Sequence, residues 1–444
     1  MNQRRFYTII LGYSLVGMVP LKSQVYDLEA CVHLALQNRS DLQAATLDVQ
    51  SARAATKGSY SSILPRVNMS NGWSRSQFPP RTFGWDPVTQ KPVGGEFSSI
   101  TSWSGGLALS QTIYDGGIWW NTITQAKNNY EIARQRERQV RLNVIWEVHR
   151  AFYTYLKAKQ LLEVARLSLK SGEQQVELVK RQYELGAVKK TDLLKAEVRR
   201  GQYKVDVLNQ EAAVANAYQD LLNAMGLVGS STKFEIVSIE RPLRLLPSLE
   251  EAQQVMETKN PSLRAKREQV TAAEIEYKLT WGQRLPSLSG TMSYSSSAED
   301  PTTLLREWRD NWQLRTGITF SVPLYSGHRL STQVQRARLA VMKAQSEYIT
   351  QLEDLTVQLQ AILEALRNYR DIIPINEQVL TSAEEDLKLV QERYTLGAAT
   401  ILEVLDAQVS LISAQSSLIA SKYDVRIQEA SLRKLLGTLE QDFN

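Results

Sequence analysis

Tyr183-Glu184-Leu185-Gly186-Ala187 and Tyr394-Thr395-Leu396-Gly397-Ala398 are two copies of one turn, and what flanks them decides the fold. They lie 397 − 186 = 211 residues apart, the offset that also relates Gly106 to Gly317, Tyr114 to Tyr325, Gly116 to Gly327 and Gly226 to Gly437. A unit kept at fixed length twice in one chain is an internal twofold repeat. Upstream of Tyr394, residues recur in alternating steps of four and three: Val390, Leu387, Ala383, Leu380, Ile373, Tyr369, Leu366, Ile362, Leu359, Leu355, Leu352, Tyr348 and Val341, interrupted by Asn376 and Gln345. This is heptad spacing, sustained for roughly eight heptads. The matching seam upstream of Tyr183 runs through Val179, Val176, Leu169, Ala165, Leu162, Ala158, Tyr155, Ala151, Val148 and Val144, holds more alanine and breaks at Arg141, Glu137 and Arg134. Each run predicts a helix of about 65 residues, on the order of 100 Å at 1.5 Å per residue. The first seam is expected to be the thinner one.

The repeat extends outward. Tyr26–Ala44 matches Pro247–Ala265 at an offset of 221, and Leu64-Pro65 matches Leu285-Pro286. The offset therefore drops by ten between Pro65 and Gly106, where Phe78-Pro79-Pro80-Arg81, Trp85-Asp86-Pro87 and Val93-Gly94-Gly95 read as loop. Around it lie segments of period two. Leu288, Gly290, Met292 and Tyr294 alternate with serine and threonine; Trp312, Leu314, Thr316, Ile318, Phe320, Val322 and Leu324 alternate with Gln313, Arg315, Gly317, Thr319, Ser321 and Pro323; and in the first copy Val67, Met69 and Trp73 alternate with Asn68, Ser70 and Ser74, and Trp103, Leu107, Leu109 and Ile113 with Ser102, Ser104, Ala108, Ser110 and Thr112. One face is apolar with aromatics near the ends, the other small and hydroxylic. An antiparallel sheet on a soluble core alternates in the same way; the strand length of about ten residues and a secretory leader favour lipid outside and water inside. Four strands cannot close a membrane barrel, so the chain must oligomerise: a trimer gives twelve strands, a dimer eight with a narrow, filled interior.

The leader is residues 1–23, with Arg4 and Arg5 before an apolar run from Phe6 to Val19. The net charge of +5 includes Arg4, Arg5 and Lys22; without them it is 49 − 47 = +2, which implies no nucleic-acid partner. Leu28-Glu29-Ala30-Cys31 superficially resembles a lipidation box, but Glu29 is charged and Cys31 falls in a helical pattern, so a buried thiol is expected. His33, His149 and His328 have no carboxylate or cysteine at ligand spacing, no phosphate loop or nucleophile elbow occurs, and neither cofactor, metal site nor enzymatic activity is expected. Pro374 is expected to kink its helix or open one turn. Trp119-Trp120 suits a lipid–water boundary or a buried cluster.

Taken together, the two Tyr-x-x-Gly turns, Asp192 with Leu193-Leu194, Glu403-Val404-Leu405-Asp406-Ala407-Gln408, and the strand ends at Tyr114 and Tyr325 resemble the TolC-like outer-membrane channels of Gram-negative efflux pumps and type I secretion systems, over about Tyr26–Thr438. The resemblance implies an α+β membrane protein: a homotrimer whose twelve-stranded barrel, four strands per chain, crosses outer-membrane lipid and continues into a long periplasmic α-helical barrel with a mixed equatorial region. The repeats then span 24–228 and 247–437, joined by an equatorial linker at 229–246 and followed by a tail at 438–444. Ser40–Ser62 and Pro261–Arg284 would be short helices, Ile118–Glu184 and Arg329–Thr395 the long ones, and Asp192–Met225 and Thr400–Leu436 would return from the tips.

Implied partners are a periplasmic adaptor protein docking at the tip turns (Leu185, Gly186, Ala187; Leu396, Gly397, Ala398) and an inner-membrane transporter, the chain acting as passive exit duct of a tripartite pump. A protein-secretion outlet and, more distantly, a soluble periplasmic coiled-coil adaptor are the alternatives. In such channels the mouth is held shut by contacts between tips; Tyr394, Thr191 and Asp192 match these positions, while Ala399 stands where a basic partner can sit, so Lys189 and Lys190 are expected to compensate. Glu403 and Asp406, three apart, share a helical face, and threefold symmetry makes six carboxylates around the mouth, a ring that favours cations. The alternative is that they merely offset the helix dipole.

Overall fold

The computed structural model describes residues 25–79, 82–94, 98–227, 229, 235–237 and 245–443. The expected leader and residue 24, Pro80, Arg81 and Gly95 of the loop, and all of the expected linker but 229, 235–237 and 245–246 lie outside them. In chain order the elements are β1 (Val25–Tyr26), α1 (Leu28–Asn38), α2 (Ser40–Ser59), β2 (Arg66–Phe78), β3 (Thr82–Trp85), β4 (Pro92–Gly94), β5 (Ser98–Tyr114), α3 (Ile118–Glu184), α4 (Lys190–Ala224), β6 (Glu235–Ile236), α5 (Leu249–Lys259), α6 (Pro261–Gly282), β7 (Ser287–Ala298), α7 (Pro301–Arg306), β8 (Trp312–Ser321), α8 (Arg329–Thr395) and α9 (Ile401–Leu435).

α3 and α8 each contain 67 residues, and α4 and α9 each contain 35. Both long helices start behind a left-handed residue, Gly117 at φ +83° and His328 at φ +68°. α8 runs on through Pro374. The short helices are broken where the return helices end. A Cβ on Gly226, after α4, would lie 3.1–3.2 Å from Asn38 at the end of α1, and one on Gly437, after α9, would lie 2.4 Å from the Lys259 carbonyl oxygen at the end of α5. Asn260 ties the second joint: its Oδ1 accepts from Leu263 N at 3.0 Å and its Nδ2 donates to Leu435 O at 2.7 Å.

The helices thus form a wall. α3 packs against α2 and α4 along one side and α6 and α9 along the other, whereas the main neighbours of α8 among the described residues are α5, α6 and α9. This reverses the expected strength of the two seams. In α3 the seam residues Val144, Val148, Ala151, Ala158, Leu162, Ala165, Val176 and Val179 are buried; in α8 only Leu355, Leu359, Leu366 and Val390 are. The richer seam is the less buried because α8 stands at the end of the wall, with one neighbouring row instead of two.

Two apolar cores sit at mid-length. Cys31, Val32 and Ala35 of α1 meet Val144, Ile145, Val148 and Phe152 of α3 and Leu221 of α4. Ala252 and Met256 of α5 meet Leu359, Leu363 and Leu366 of α8 and Leu432 of α9. Each fully buried leucine contributes about 1.5–3 kcal/mol. Beside the first core β1 pairs in parallel with β6, Tyr26 opposite Ile236. Cys31 is fully buried there, its thiol pushed up to about 12 by desolvation and then by Asp27.

Beyond the other end of the wall, β2, β5, β7 and β8 form one antiparallel sheet in that order. Its register aligns the faces. Met69, Leu107, Tyr294 and Leu314 stand in one row and Val67, Leu109, Met292 and Thr316 in the next, while Asn68, Ala108, Ser293 and Arg315 occupy a row on the opposite face. Among the described residues no core covers the apolar rows: Met69 and Ile318 are each 74% exposed. Aromatic groups mark both ends of this face. Trp73 lies 6.3 Å from Trp103 and Tyr294 lies 5.9 Å from both Trp308 and Trp312 at the loop end, and Trp119 stacks on the exposed Trp120 at 4.3 Å at the helix end.

Two expectations are corrected. β8 stops at Ser321, because Pro323 has no N–H for a ladder, so Val322 and Leu324 are outside it. The loop is not wholly irregular: β3 and β4 pair around a turn closed by Asp86, whose side chain accepts from Val88 N at 2.9 Å and Thr89 Oγ1 at 2.5 Å. A short helix, α7, follows β7, capped by Asp300, which accepts from Thr303 N, with proline at its start. No helix among the described residues is long and apolar enough to cross a membrane.

Candidate functional site at the helical tips

The two tips are built alike. After α3, Gly186 N donates to Tyr183 O and Ala187 N to Gln182 O at 2.9 and 2.8 Å; after α8, Gly397 N donates to Tyr394 O and Ala398 N to Arg393 O at 3.0 and 2.8 Å. This reverse turn needs a left-handed residue, supplied by Gly186 at φ +75° and Gly397 at φ +74°. Nothing lies within 4 Å of where either Cβ would be, so conformation alone demands glycine. Leu185 and Leu396 project almost fully into solvent, 84% and 82% exposed, and so make the two tips blunt apolar points.

The return helices begin differently. Thr400 caps α9 in a reciprocal box: Glu403 N donates to Thr400 Oγ1 at 3.3 Å, and Thr400 N donates to Glu403 Oε1 at 3.0 Å. Lys189, the corresponding residue before α4, offers no side-chain cap. Arg393 reaches across the second turn, donating to Ala398 O at 3.1 Å and standing 3.8 Å from Glu403. The Thr400 backbone and hydroxyl hydrogen bonds, then Arg393, hold the Glu403 carboxyl below the usual glutamate range. Asp406, one turn further on, is exposed, and no hydrogen bond or ion pair reaches its carboxylate among the described residues.

Between the tips the joint is partly apolar and partly polar. Val176 and Val179 of α3, Ala196 of α4 and Ile401 and Leu405 of α9 are buried together, with Val188, Leu193 and Tyr394 against them. Tyr394 Oη donates to Gln182 Oε1 at 2.7 Å, bridging the two turns. Burial, and next the charge of Asp192, push the Tyr394 hydroxyl above the ordinary tyrosine value. Asp192 is thus near enough to act on Tyr394 through its charge, with no hydrogen bond between the two among the described residues. Thr191, Lys189 and Lys190 are exposed, and neither lysine makes an ion pair across the tips; the basic group beside Glu403 is Arg393, from the same turn. Gln182 and Arg393 were not singled out from the sequence, although they are equivalent positions of the repeat, one residue before Tyr183 and Tyr394. His33 is exposed and His149 buried, and no group of three potential ligands is positioned for a metal among the described residues.

Above the tips each end of the helical wall carries an uncovered apolar stripe. On α4 it is Leu194, Val198, Val205 and Leu208; on α8 it is Ile372, Ile375, Val379 and Leu389. Leu194 and Leu389 both stand eight residues from their tip glycines, Val205 and Val379 nineteen and eighteen, and Leu208 and Ile375 both twenty-two. Two antiparallel helices thus present heptad-spaced stripes at matching heights, on opposite ends of one wall.

Comparison with known proteins places this geometry. The family model described as outer membrane efflux protein matches residues 31–227 and 253–438. The chain is 26% identical over 433 residues to outer membrane protein TolC of Vibrio cholerae, covering 94% of this chain and 92% of that one. It is 24% identical to the alkaline protease secretion protein AprF of Pseudomonas aeruginosa, covering 99% and 90%. The crystal structure of the Campylobacter jejuni CmeC outer membrane channel superposes with a TM-score of 0.80 at 20% identity, covering 93% of this chain and 86% of that one.

Proposed function

We propose, on the premise that the chain belongs to the outer membrane efflux protein family, that three copies close into one exit duct. The protein is an outer-membrane efflux channel of a Gram-negative bacterium. Its finer architecture is inferred as follows. One chain leaves two open edges in its sheet, β2 and β8, and two in its helical wall, the α2/α4 row and α8. β2 and β8 run in opposite directions, so β8 of one copy can pair antiparallel with β2 of the next, and three chains make a twelve-stranded barrel with no edge in lipid. The same rotation brings the α8 stripe of one copy against the α4 stripe of the next. The observation that carries this reading is the coincidence of the two sets of open edges on the same two flanks of the molecule.

In this assembly the Met69 and Val67 rows face lipid, with the two aromatic groups at its boundaries. The serine-rich face lines water, and the long helices carry the lumen across the periplasm. The six tips form the mouth, with Leu185-Gly186-Ala187 and Leu396-Gly397-Ala398 as docking points for a periplasmic adaptor that links the duct to an inner-membrane transporter. The duct performs no chemistry of its own. Tyr394 and Gln182 hold neighbouring tips together, and parting α9 from α3 opens the mouth. Asp406, whose carboxylate has no partner among the described residues, supplies the acidic ring; Glu403, engaged by Thr400 and Arg393, contributes chiefly to helix capping. A soluble adaptor is disfavoured because the apolar rows of the sheet have no core beneath them.

The test is extraction. Outer membranes should yield a detergent-dependent trimer that conducts ions in a planar bilayer; a monomer in the periplasmic wash would refute the reading. Neutralising Asp406 alone should remove most of the cation preference, and an unchanged preference in Asp406→Ala would remove the ring.

A further inference from the structure

The four barrel strands contain three charged residues, all arginine, and no carboxylate: Arg66 and Arg75 on β2 and Arg315 on β8. The register separates them by face. Arg75 shares the apolar face with Trp73, two residues beyond it towards the loops. Arg66 lies in the row Arg66, Ser110, Thr291, Gly317, and Arg315 in the adjacent row of the same hydroxylic face, beside Ser293 and Ala108. All their cross-strand neighbours are short or lack side chains, and no ion pair or hydrogen bond reaches either guanidinium among the described residues. On this face a Cβ on Gly106 would lie 2.9 Å from Ser295 Cβ, and one on Gly72 would lie 3.2 Å from Ser104 Oγ.

From this placement we infer that the barrel lumen carries a cationic band that selects for anions. The inference rests on the three-copy barrel reading. Arg66 is on one open edge of the sheet and Arg315 on the other, so closure puts the Arg315 strand of each copy beside the Arg66 strand of the next. The two rows are one step apart on this face, about 7 Å along a strand. Six guanidinium groups then line the lumen, three from Arg66 at the helix end of β2 and three from Arg315, three residues in from the loop end of β8, with no carboxylate among the residues of the four strands to neutralise them. Rings of arginine favour anions and repel cations. Together with the acidic residues at the far mouth, this gives the duct opposite charge at its two ends: cations are favoured at entry and anionic groups at exit. Cargo bearing carboxylate or phosphate is the class the exit end accommodates best.

The experiment is the reversal potential of the trimer in a planar bilayer under a potassium chloride gradient. Arg66→Gln/Arg315→Gln should shift the chloride-to-potassium permeability ratio towards potassium by about twofold or more at low salt, an effect that fades as salt rises. Arg66→Lys/Arg315→Lys should keep the wild-type ratio, and Arg75→Gln, altered on the outer face, should leave it unchanged. Asp406→Ala should move it the opposite way, so the two ends are read separately. An unchanged ratio in the double glutamine variant, or a shift equally large in Arg75→Gln, overturns the band while leaving the trimeric duct standing. Should the double variant not assemble, the single glutamine variants are each expected to give a smaller shift of the same sign, and no shift in either overturns the band. Failure of wild-type protein to form trimers or channels refutes the barrel itself.

Discussion

Replacing Tyr394 by Phe removes one hydroxyl and leaves the ring in place. The ring is half-buried against Val188, Leu193 and the buried Val179 and Leu405, so the apolar part of the joint survives. What is lost is the 2.7 Å bond from Tyr394 Oη to Gln182 Oε1, the hydrogen bond described between the two turns. Such a neutral bond contributes about 1 kcal/mol net. If each chain parts its own tips independently, the open-to-closed ratio should rise about fivefold. If the three chains of the mouth open together, about 3 kcal/mol is lost and the ratio should rise about a hundredfold. Single-channel recording distinguishes these cases. A double-mutant cycle with Gln182→Ala should return a coupling of about 1 kcal/mol, because Gln182→Ala removes the same bond from the other side. Unchanged opening in Tyr394→Phe, or additive effects in the cycle, would refute the claim that this bond holds the tips.

Four further outcomes follow from the same geometry. Gly397→Ala meets no steric obstacle and suffers only the left-handed backbone, so thermal dissociation should show a loss of about 1–2 kcal/mol per chain. Thr400→Ala removes the cap of α9 and should lower stability by about 1 kcal/mol in denaturant titration. Because Glu403 has a depressed pKa in the folded tip, its stabilising contribution is complete above the ordinary glutamate value of 4.5, declines as pH falls below it and is lost once pH passes below the folded value; opening measured against pH should rise only in that acid window, and not in Glu403→Gln. Gly106→Val places a side chain against Tyr294 O and the Ser295 backbone, which cannot swing aside, and should abolish trimers in outer-membrane fractions.

Where the fold was legible, a local rule was responsible. The bounds of α3 and α8 follow from a left-handed glycine at each tip and from heptad spacing between, and both are properties of a few neighbouring residues. The alternation that marks β2, β5, β7 and β8 is equally local. What the sequence hid is what depends on neighbours distant in the chain. The alanine-rich seam of α3 proved the better buried one because α3 lies inside the wall, a matter of topology that composition does not reveal. Tyr394 was identified as a tip residue, but its partner Gln182 lies 212 positions away with an unremarkable amide. Glu403 and Asp406 look equivalent on a helical face; the cap from Thr400 and the approach of Arg393 separate them. The β3–β4 hairpin was masked by prolines that suggested irregularity, although Asp86 with Val88 and Thr89 is a turn signal in its own right.

The claim beneath the rest is that the open edges of one chain are closed by another copy. Cysteines introduced together at Val205 on α4 and Val379 on α8, at nearly equal heights above the tips, test it most directly, since native Cys31 is buried and does not compete. Oxidised in outer membranes, the double variant should run on a denaturing gel as a ladder ending at a covalent trimer, while each single variant stays monomeric. A double variant that remains a monomer, in membranes where both cysteines are shown to be reactive, would contradict the account.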